Sequence, residues 1–280
     1  MAERNTSRRT FLGATAALAA MPGARLAAAP QAAKSDLKLG VASYSLRKLS
    51  RAQVIDAMKQ LNTPYINIKE FHLLYKSTPE ELAAGRKEFK DAGLTILGGG
   101  TIGLQKDDDD DIRYHFEYAK GAGMPMMVVA PSHQSMPRIE KFVKEYNIKV
   151  AVHNHGPEDK HFPAPSDVMK VVKNMDPRVG LCIDVGHTVR TGADVVESIR
   201  EAGPRLLDMH VKDLKDLRVS KSQCIVGEGA MPMVAIFKQL KKMNYQGGVM
   251  LEYEIDADNP LPGMLRSFAY MRGLLAGLAG

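Results

Sequence analysis

Cysteine is scarce in this sequence: Cys182 and Cys224 are the only two in 280 residues, so neither a dense disulfide framework nor a Cys-rich closed zinc site can organise the fold. Cys182 lies within an apolar run that reads as a buried strand. A lone cysteine there behaves as a small hydrophobe, and pairing with Cys224 is not expected even in an oxidising compartment. Long apolar runs are also lacking, and the one Ala-rich stretch near the N-terminus is too short and too weakly apolar to span a bilayer. Charge of one sign is modest. The formal net charge is +6, and Arg4, Arg8, Arg9 and Arg25 against Glu3 carry three of those charges, leaving +3 for the remainder, too little to argue for a nucleic-acid partner. No Gly-rich or Arg-paired phosphate cradle stands out, and no linker or low-complexity segment follows the first thirty residues. What is present is ordinary globular material, 45% hydrophobic and 25% charged, which suffices for one sizeable core.

The N-terminus reads as an address. Ser7-Arg8-Arg9-Thr10-Phe11-Leu12 precedes the weakly apolar stretch that ends near Leu26-Ala27-Ala28-Ala29, the order of a twin-arginine export signal. Residues 1–31 are therefore expected to be the signal and residues 32–280 the folded domain. The mature protein would begin near Ala32, act in the periplasm or outside the cell, and keep no stable membrane anchor after cleavage. This route carries proteins that are already folded, which suits an enzyme loaded with a metal.

From residue 37 onward, short apolar runs alternate with stretches of helical periodicity, the pattern of a parallel sheet wrapped by helices. Eight such units are expected, an α/β chain closed into a single (β/α)8 TIM barrel. The strands are placed at Leu37 to Tyr44, Tyr65 to Phe71, Leu94 to Gly98, Met126 to Val129, Lys149 to His153, Val179 to Asp184, Leu206 to Val211 and Gly248 to Glu252. The helices follow near Arg51 to Leu61, Pro79 to Ala92, Asp111 to Ala122, Pro137 to Tyr146, Pro165 to Met175, Ala193 to Ala202, Met233 to Met243 and Leu261 to Leu278. Thr78-Pro79-Glu80-Glu81 supplies an N-cap, a first-turn proline and early acidic residues. The five carboxylates Asp107 to Asp111 read as a solvated, dipole-compatible helix start, because they lack the glycine and spaced ligands of a calcium loop. The apolar tail of the last helix could pack on a neighbouring copy to form a homo-oligomer, although closing its own barrel is the blander use.

Strand parity predicts which polar side chains converge. With Val150 and Val152 toward the helices, Ala151 and His153 turn inward. With Leu181 and Ile183 outward, Asp184 turns in. Met209 and Val211 outward put Asp208, His210 and Lys212 inside, and Val249 and Leu251 outward put Glu252 inside. Consecutive strands thus deliver His153, Asp184, His210 and Glu252 to the C-terminal mouth, where barrels of this type build their sites. Each alone reads as a satisfied polar strand end. Together, two imidazoles and two carboxylates suit one divalent ion of the Mn, Zn, Co or Fe class with positions left for substrate oxygens. In the second strand, outward Ile66 and Ile68 turn Lys69 inward, where a desolvated ammonium could donate a proton or polarise a carbonyl; snorkelling to solvent is the competing reading.

These residues resemble the xylose-isomerase-like TIM-barrel superfamily, the group of sugar phosphate isomerases and epimerases, inosose dehydratases and related enzymes. The likeness covers residues 37 to 278 and rests on Asp184-Val185-Gly186-His187, His210-Val211-Lys212-Asp213, Gly227-Glu228-Gly229 and Leu251-Glu252. It implies that Asp184, His210 and Glu252 bind the metal, while His187 and Lys212 contact substrate oxygens. Glu228, in the glycine-flanked motif, joins them as a substrate-side residue. His153 stands where the family usually has glutamate, which weakens the case for simple epimerisation by two opposed carboxylates. Lys69 likewise replaces a frequent glutamate. His72 and His155 are assigned to substrate contact or loop hydrogen bonding rather than to the metal.

The expected chemistry is enolisation of an unphosphorylated keto-sugar or 3-keto-glycoside. Glu252 or His153 would be the base, and Lys69, His187 or Lys212 would stabilise or reprotonate the oxygens. Returning the proton gives isomerisation or epimerisation; expelling a β-substituent gives dehydration or glycoside cleavage, toward which His153 and export tilt the reading. The partner is then a small carbohydrate, with no nucleic acid. The alternatives are a non-catalytic sugar-binding barrel, or a three-metal nuclease of the same superfamily, which export and mild charge disfavour.

Overall fold

The computed structural model describes residues 37–278; the expected export signal lies outside the described residues. The strands are β1 (Lys38–Ala42), β2 (Tyr65–Ile68), β3 (Thr95–Leu104), β4 (Met126–Pro131), β5 (Lys149–His153), β6 (Val179–Asp184), β7 (Leu206–Val211), the short pair β8 (Asp213–Leu214) and β9 (Gln223–Cys224), and β10 (Gly248–Leu251). Eight of them close a barrel in the order β1-β10-β7-β6-β5-β4-β3-β2, with neighbours parallel throughout, while β8 and β9 form a separate antiparallel pair. The helices are α1 (Arg51–Leu61), α2 (Pro79–Asp91), α3 (Asp109–Ala122), α4 (Met136–Tyr146), α5 (Pro165–Val172), α6 (Val185–Arg190), α7 (Val195–Ala202), α8 (Met233–Lys242) and α9 (Leu261–Gly277). None of the described helices is long and apolar enough to cross a membrane.

Alternation along the strands sorts side chains into two apolar layers. Val150, Val152, Leu181, Ile183, Met209, Val211, Val249 and Leu251 pack outward into the main core under the helices. Met126, Val128, Ala151 and Cys182 fill the narrow interior instead. A bulge at Leu207 pairs Leu181 with Leu206 but Cys182 with Asp208, so Leu206 joins the outer core while Asp208 and His210 share the inner face. Helix starts follow local chemistry. Ser50 with Gln53 and Thr78 with Glu81 form reciprocal capping boxes. Asp108 caps α3 by accepting from the Asp111 amide at 2.8 Å, and Asp107 and Asp109 pair with Arg138 of α4, so the acidic run is a helix start tied to its neighbour.

Two stretches depart from the sequence reading. The run Gly98-Gly99-Gly100 does not end a strand: β3 continues through it to Leu104. Gly99 yields space to a methionine, since a Cβ there would stand 2.3 Å from the Met124 sulfur, and Gly100 lies against the Val128 backbone. The second is α6, a single short helix fused to the end of β6, where only a loop before α7 was expected. Both cysteines are free and buried. The apolar tail of α9 serves its own barrel, with Leu274, Leu275 and Leu278 packed against the main core.

Phe142 of α4 is wholly buried beside Phe116 of α3, with ring centroids 5.8 Å apart. Phe142→Ala is expected to lower unfolding stability by about 3–5 kcal/mol, and Ser50→Ala by about 1 kcal/mol; urea titrations followed by circular dichroism will show whether core packing and capping separate in this way.

Candidate metal and substrate site

The four strand-end residues meet at the barrel mouth. His153 Nε2 lies 3.1 Å from His210 Nδ1 and 3.6 Å from Asp184 Oδ2, and His210 Nδ1 lies 3.3 Å from Glu252 Oε2. All four ligand atoms fall within 4.8 Å of one another and all four residues are buried. In a tetrahedral site with bonds of about 2.0–2.1 Å, ligand atoms stand about 3.3–3.4 Å apart. The observed spacings bracket that value, and the donor set of two imidazoles and two carboxylates is compatible with a divalent ion. Among the described residues, the one other group capable of holding a metal, His153, Cys182 and His210, overlaps this cluster.

Local structure explains each placement. Asp184 ends β6 and caps α6: its Oδ1 accepts the His187 amide at 2.8 Å, which leaves Oδ2 to face the cluster. The buried Asn154 locks this corner by accepting the Asp184 amide at 3.0 Å and donating to Thr188 Oγ at 3.1 Å. Glu252 follows β10; its amide donates to Val211 at 2.9 Å and its carbonyl accepts from Gln223 of β9 at 2.6 Å. Gly186 makes room for Lys212, because a Cβ there would stand 2.7 Å from the lysine Cγ.

Electrostatics at the mouth centre on Lys212. The residue is 3% exposed, and its ammonium lies 3.1 Å from Asp184 and 2.9 Å from Glu252 and also pairs with Glu254. Burial alone would push both carboxylates up; the Lys212 charge and the neighbouring imidazoles reverse this and hold them well below the usual carboxylate range. Burial lowers the His153 pKa. On His210, burial opposes charge, but the Cys182 sulfur and the Glu252 carboxylate outweigh it and raise the pKa. A hydrogen bond between the two rings accounts for the 3.1 Å separation of their nitrogens.

His187, on α6, presents its ring edge-on to His153 and His155, at centroid distances of 5.8 and 4.8 Å. Burial pushes its pKa down to about 4, so it is neutral near pH 7, and its Nδ1 lies 3.0 Å from Arg190 Nη1. Since arginine can only donate, the His187 proton resides on Nε2. His155 is exposed at the rim, with its Nδ1 4.0 Å from Asp159. A cavity of about 290 Å³ opens beside Lys212, lined by Gly186, His187, Arg190, Gln223 and Glu254 among others.

Three residues expected at the site are engaged by partners outside the cluster. The Lys69 ammonium, just past the end of β2 at Ile68, donates to the Thr101 carbonyl at 2.5 Å and pairs with Glu70 at 3.0 Å. His72 is buried with both ring nitrogens engaged, Nδ1 with Ser43 at 2.9 Å and Nε2 with the Leu46 carbonyl at 3.2 Å, so it ties two loops together and is not available to a substrate. Glu228 pairs with Arg266 of α9. The glycines beside it serve Asp213, whose carboxylate accepts the Gly227, Gly229 and Met231 amides at 2.8, 3.2 and 3.1 Å. The two quoted motifs, His210-Val211-Lys212-Asp213 and Gly227-Glu228-Gly229, are thus joined through Asp213, which carried no role in the sequence reading. Arg190 was also missed; its spacing of three from His187 would have revealed it had α6 been recognised.

Replacing Lys212 with alanine leaves Asp184 and Glu252 buried without their shared cation. The expected outcome is a loss of about 3–5 kcal/mol of stability in the metal-free protein, measured by chemical denaturation in the presence of a chelator.

Comparison with known proteins agrees with this architecture. Residues 46–274 match a family model described as xylose isomerase-like TIM barrel. Among curated proteins, the inosose dehydratase of Clostridium botulinum (strain Alaska E43 / Type E3) is 23% identical over 221 residues, 71% of each chain. That of Clostridium tetani (strain Massachusetts / E88) is 25% identical over 157 residues, 50% of this chain, and the match spans only 52% of that relative. Among solved structures, the zinc-containing IolI protein superposes with a TM-score of 0.72 at 15% identity, covering 86% of this chain and 99% of that one. A D-psicose 3-epimerase crystallised with D-fructose gives 0.69 at 18% identity, covering 86% and 100%. With the closed eight-stranded barrel and its mouth already described, the chain belongs to the xylose isomerase-like TIM barrel family.

Proposed function

We propose that the protein binds one divalent metal ion through His153, Asp184, His210 and Glu252 and abstracts a proton next to the carbonyl of a keto-sugar or 3-keto-glycoside. The observation that carries the reading is the convergence of these four buried ligand atoms within 4.8 Å at the barrel mouth. When bound, the ion would polarise adjacent carbonyl and hydroxyl oxygens of the substrate and lower the cost of enolate formation. The dehydratases and the epimerase among the similar proteins support carbohydrate chemistry of this class.

Glu252 is the residue best suited to accept the proton, since its neighbours keep it ionised and it stands at the open end of β10. His153 serves as a ligand in this reading, because its Nε2 points into the cluster. Lys212 bridges Asp184 and Glu252 and can steady the developing oxyanion, while His187 offers its Nε2 proton to a substrate oxygen and His155 closes the rim. With histidine in place of a second opposed carboxylate on β5, the arrangement favours β-elimination: Glu252 takes the proton from carbon, the enolate electron pair forms the new carbon–carbon double bond as the β carbon–oxygen bond breaks, and the leaving oxygen takes the Nε2 proton of His187. Isomerisation or epimerisation follows if the proton is returned to carbon.

The charges along the cavity are largely compensated internally. Arg190 pairs with Glu158, and Lys212 with Asp184, Glu252 and Glu254, so the cavity suits a neutral polyol better than a phosphate ester. This agrees with export through Ser7-Arg8-Arg9-Thr10-Phe11-Leu12, which we include in the proposal, since phosphorylated sugars are chiefly cytoplasmic. A nuclease with three metals would need many more ligands than the single cluster found among the described residues.

Elemental analysis of the purified protein, beside a His210→Ala, Glu252→Ala double variant, tests the metal. Near-stoichiometric metal in the wild type and its loss in the variant are expected. Incubation with ketoses and 3-keto-glycosides in deuterated water should then place deuterium in recovered substrate or product. Bound metal without exchange on any of these substrates would leave a sugar-binding barrel and overturn the catalytic part.

A further inference from the structure

We propose that Asp208 is a positioning residue for the metal centre, orienting the His210 ring from inside the barrel so that Nδ1 faces the ligand cluster and Nε2 keeps the proton. The inference rests on the metal reading above and concerns a residue to which that chemistry assigns no part.

Asp208 is fully buried two residues before His210 on β7, on the same inward face and one layer deeper. Apart from Asn67, that layer is apolar, made of Met126, Val128, Ala151 and Cys182. A carboxylate placed there is costly unless donors surround it. The donors present do not fill its capacity: Asn67 Nδ2 donates to Oδ2 at 2.7 Å, the weak Cys182 thiol approaches the same oxygen at 3.8 Å, and Oδ1 has no hydrogen-bond partner. The barrel nevertheless makes space for it, since a Cβ on Gly248 of the adjacent strand would stand 2.8 Å from Oδ1. A purely structural residue here would be better served by a side chain like those of its neighbours.

The polar atom that matches it is on His210. Nε2 of that ring is buried, has no hydrogen-bond partner, and lies 3.9 Å from Asp208 Oδ2, while Nδ1 on the opposite side of the ring faces His153 and Glu252. The gap exceeds a hydrogen bond by about 1 Å. A neutral imidazole has one donor and one acceptor, so if Nδ1 gives its lone pair to an ion, the proton must sit on Nε2, the nitrogen 3.9 Å from the Asp208 carboxylate. A carboxylate behind a metal-bound histidine fixes the tautomer and ring orientation and raises the basicity of the ligating nitrogen. Asn67 and Cys182, both holding Oδ2, then keep the carboxylate turned toward the ring.

Zinc binding is the measurement. Competition against a chromophoric chelator should show Asp208→Asn binding Zn2+ about 10–100-fold more weakly than the wild type, with thermal unfolding of the metal-free forms recorded separately so that lost stability is not read as lost affinity. Long-range 15N–1H spectra of the zinc-loaded wild type provide a second readout that needs no variant: the His210 ring should carry its proton on Nε2 and the metal on Nδ1. Affinity within twofold of wild type in Asp208→Asn, or a spectrum with the metal on Nε2, refutes the role of Asp208 alone. If the wild type itself takes up no zinc, the metal reading falls and the proposal with it. Should Asp208→Asn fail to fold, the wild-type spectrum decides.

Discussion

Everything at the mouth of this barrel depends on how buried charge is compensated. Asp184 and Glu252 are carboxylates removed from water, and their ionised state survives because Lys212 reaches up from β7 to stand between them. That arrangement constrains the neighbouring elements in turn. Gly186 must be a glycine for the lysine stem to pass, and Asp184 must divide its oxygens between the start of α6 and the cluster. The β8–β9 pair stays close because Gln223 is tied to Glu252 and Glu254. The chemistry proposed for the site uses the same charges that hold it together, so the residues that bind are also residues that the fold cannot spare.

The architecture separates these demands by layer. Between strands and helices the packing is apolar and continuous. Inside the barrel the apolar layer is thin, and polar residues accumulate upward from Asn67 and Asp208 through His210 and His153 to Lys212 at the rim. The supporting loops follow the same logic: Asp213 gathers the amides of the segment after β9, and His72 closes the corner between Ser43 and Leu46. Polar residues near the mouth therefore fall into two groups, those that converge on open space and those consumed by the backbone around it.

This division explains where sequence reading succeeded and where it failed. His153, Asp184, His210 and Glu252 were legible because each ends a strand whose alternation is unambiguous, and a closed barrel converts parity directly into convergence. Lys69 comes just after β2 ends at Ile68, and its ammonium is taken up by the Thr101 carbonyl and Glu70. Glu228 sits in a motif whose glycines are the informative residues, their amides serving Asp213. His72 is a polar residue near the mouth whose ring meets its partners before it reaches the site.

The sequence by itself determined the alternation of strand and helix, the cap of α2, the inward faces of β5, β6, β7 and β10, and hence the class of site the barrel can build. These are consequences of periodicity and local hydrogen bonding, which act over a few residues. The tertiary structure alone decided that β3 runs on through its glycines past Met124, that Lys212 bridges two carboxylates from different strands, and that Asn67 of β2 donates to Asp208 of β7. Each of these depends on atoms brought together from segments that no local pattern relates, so closure of the barrel was needed to reveal them.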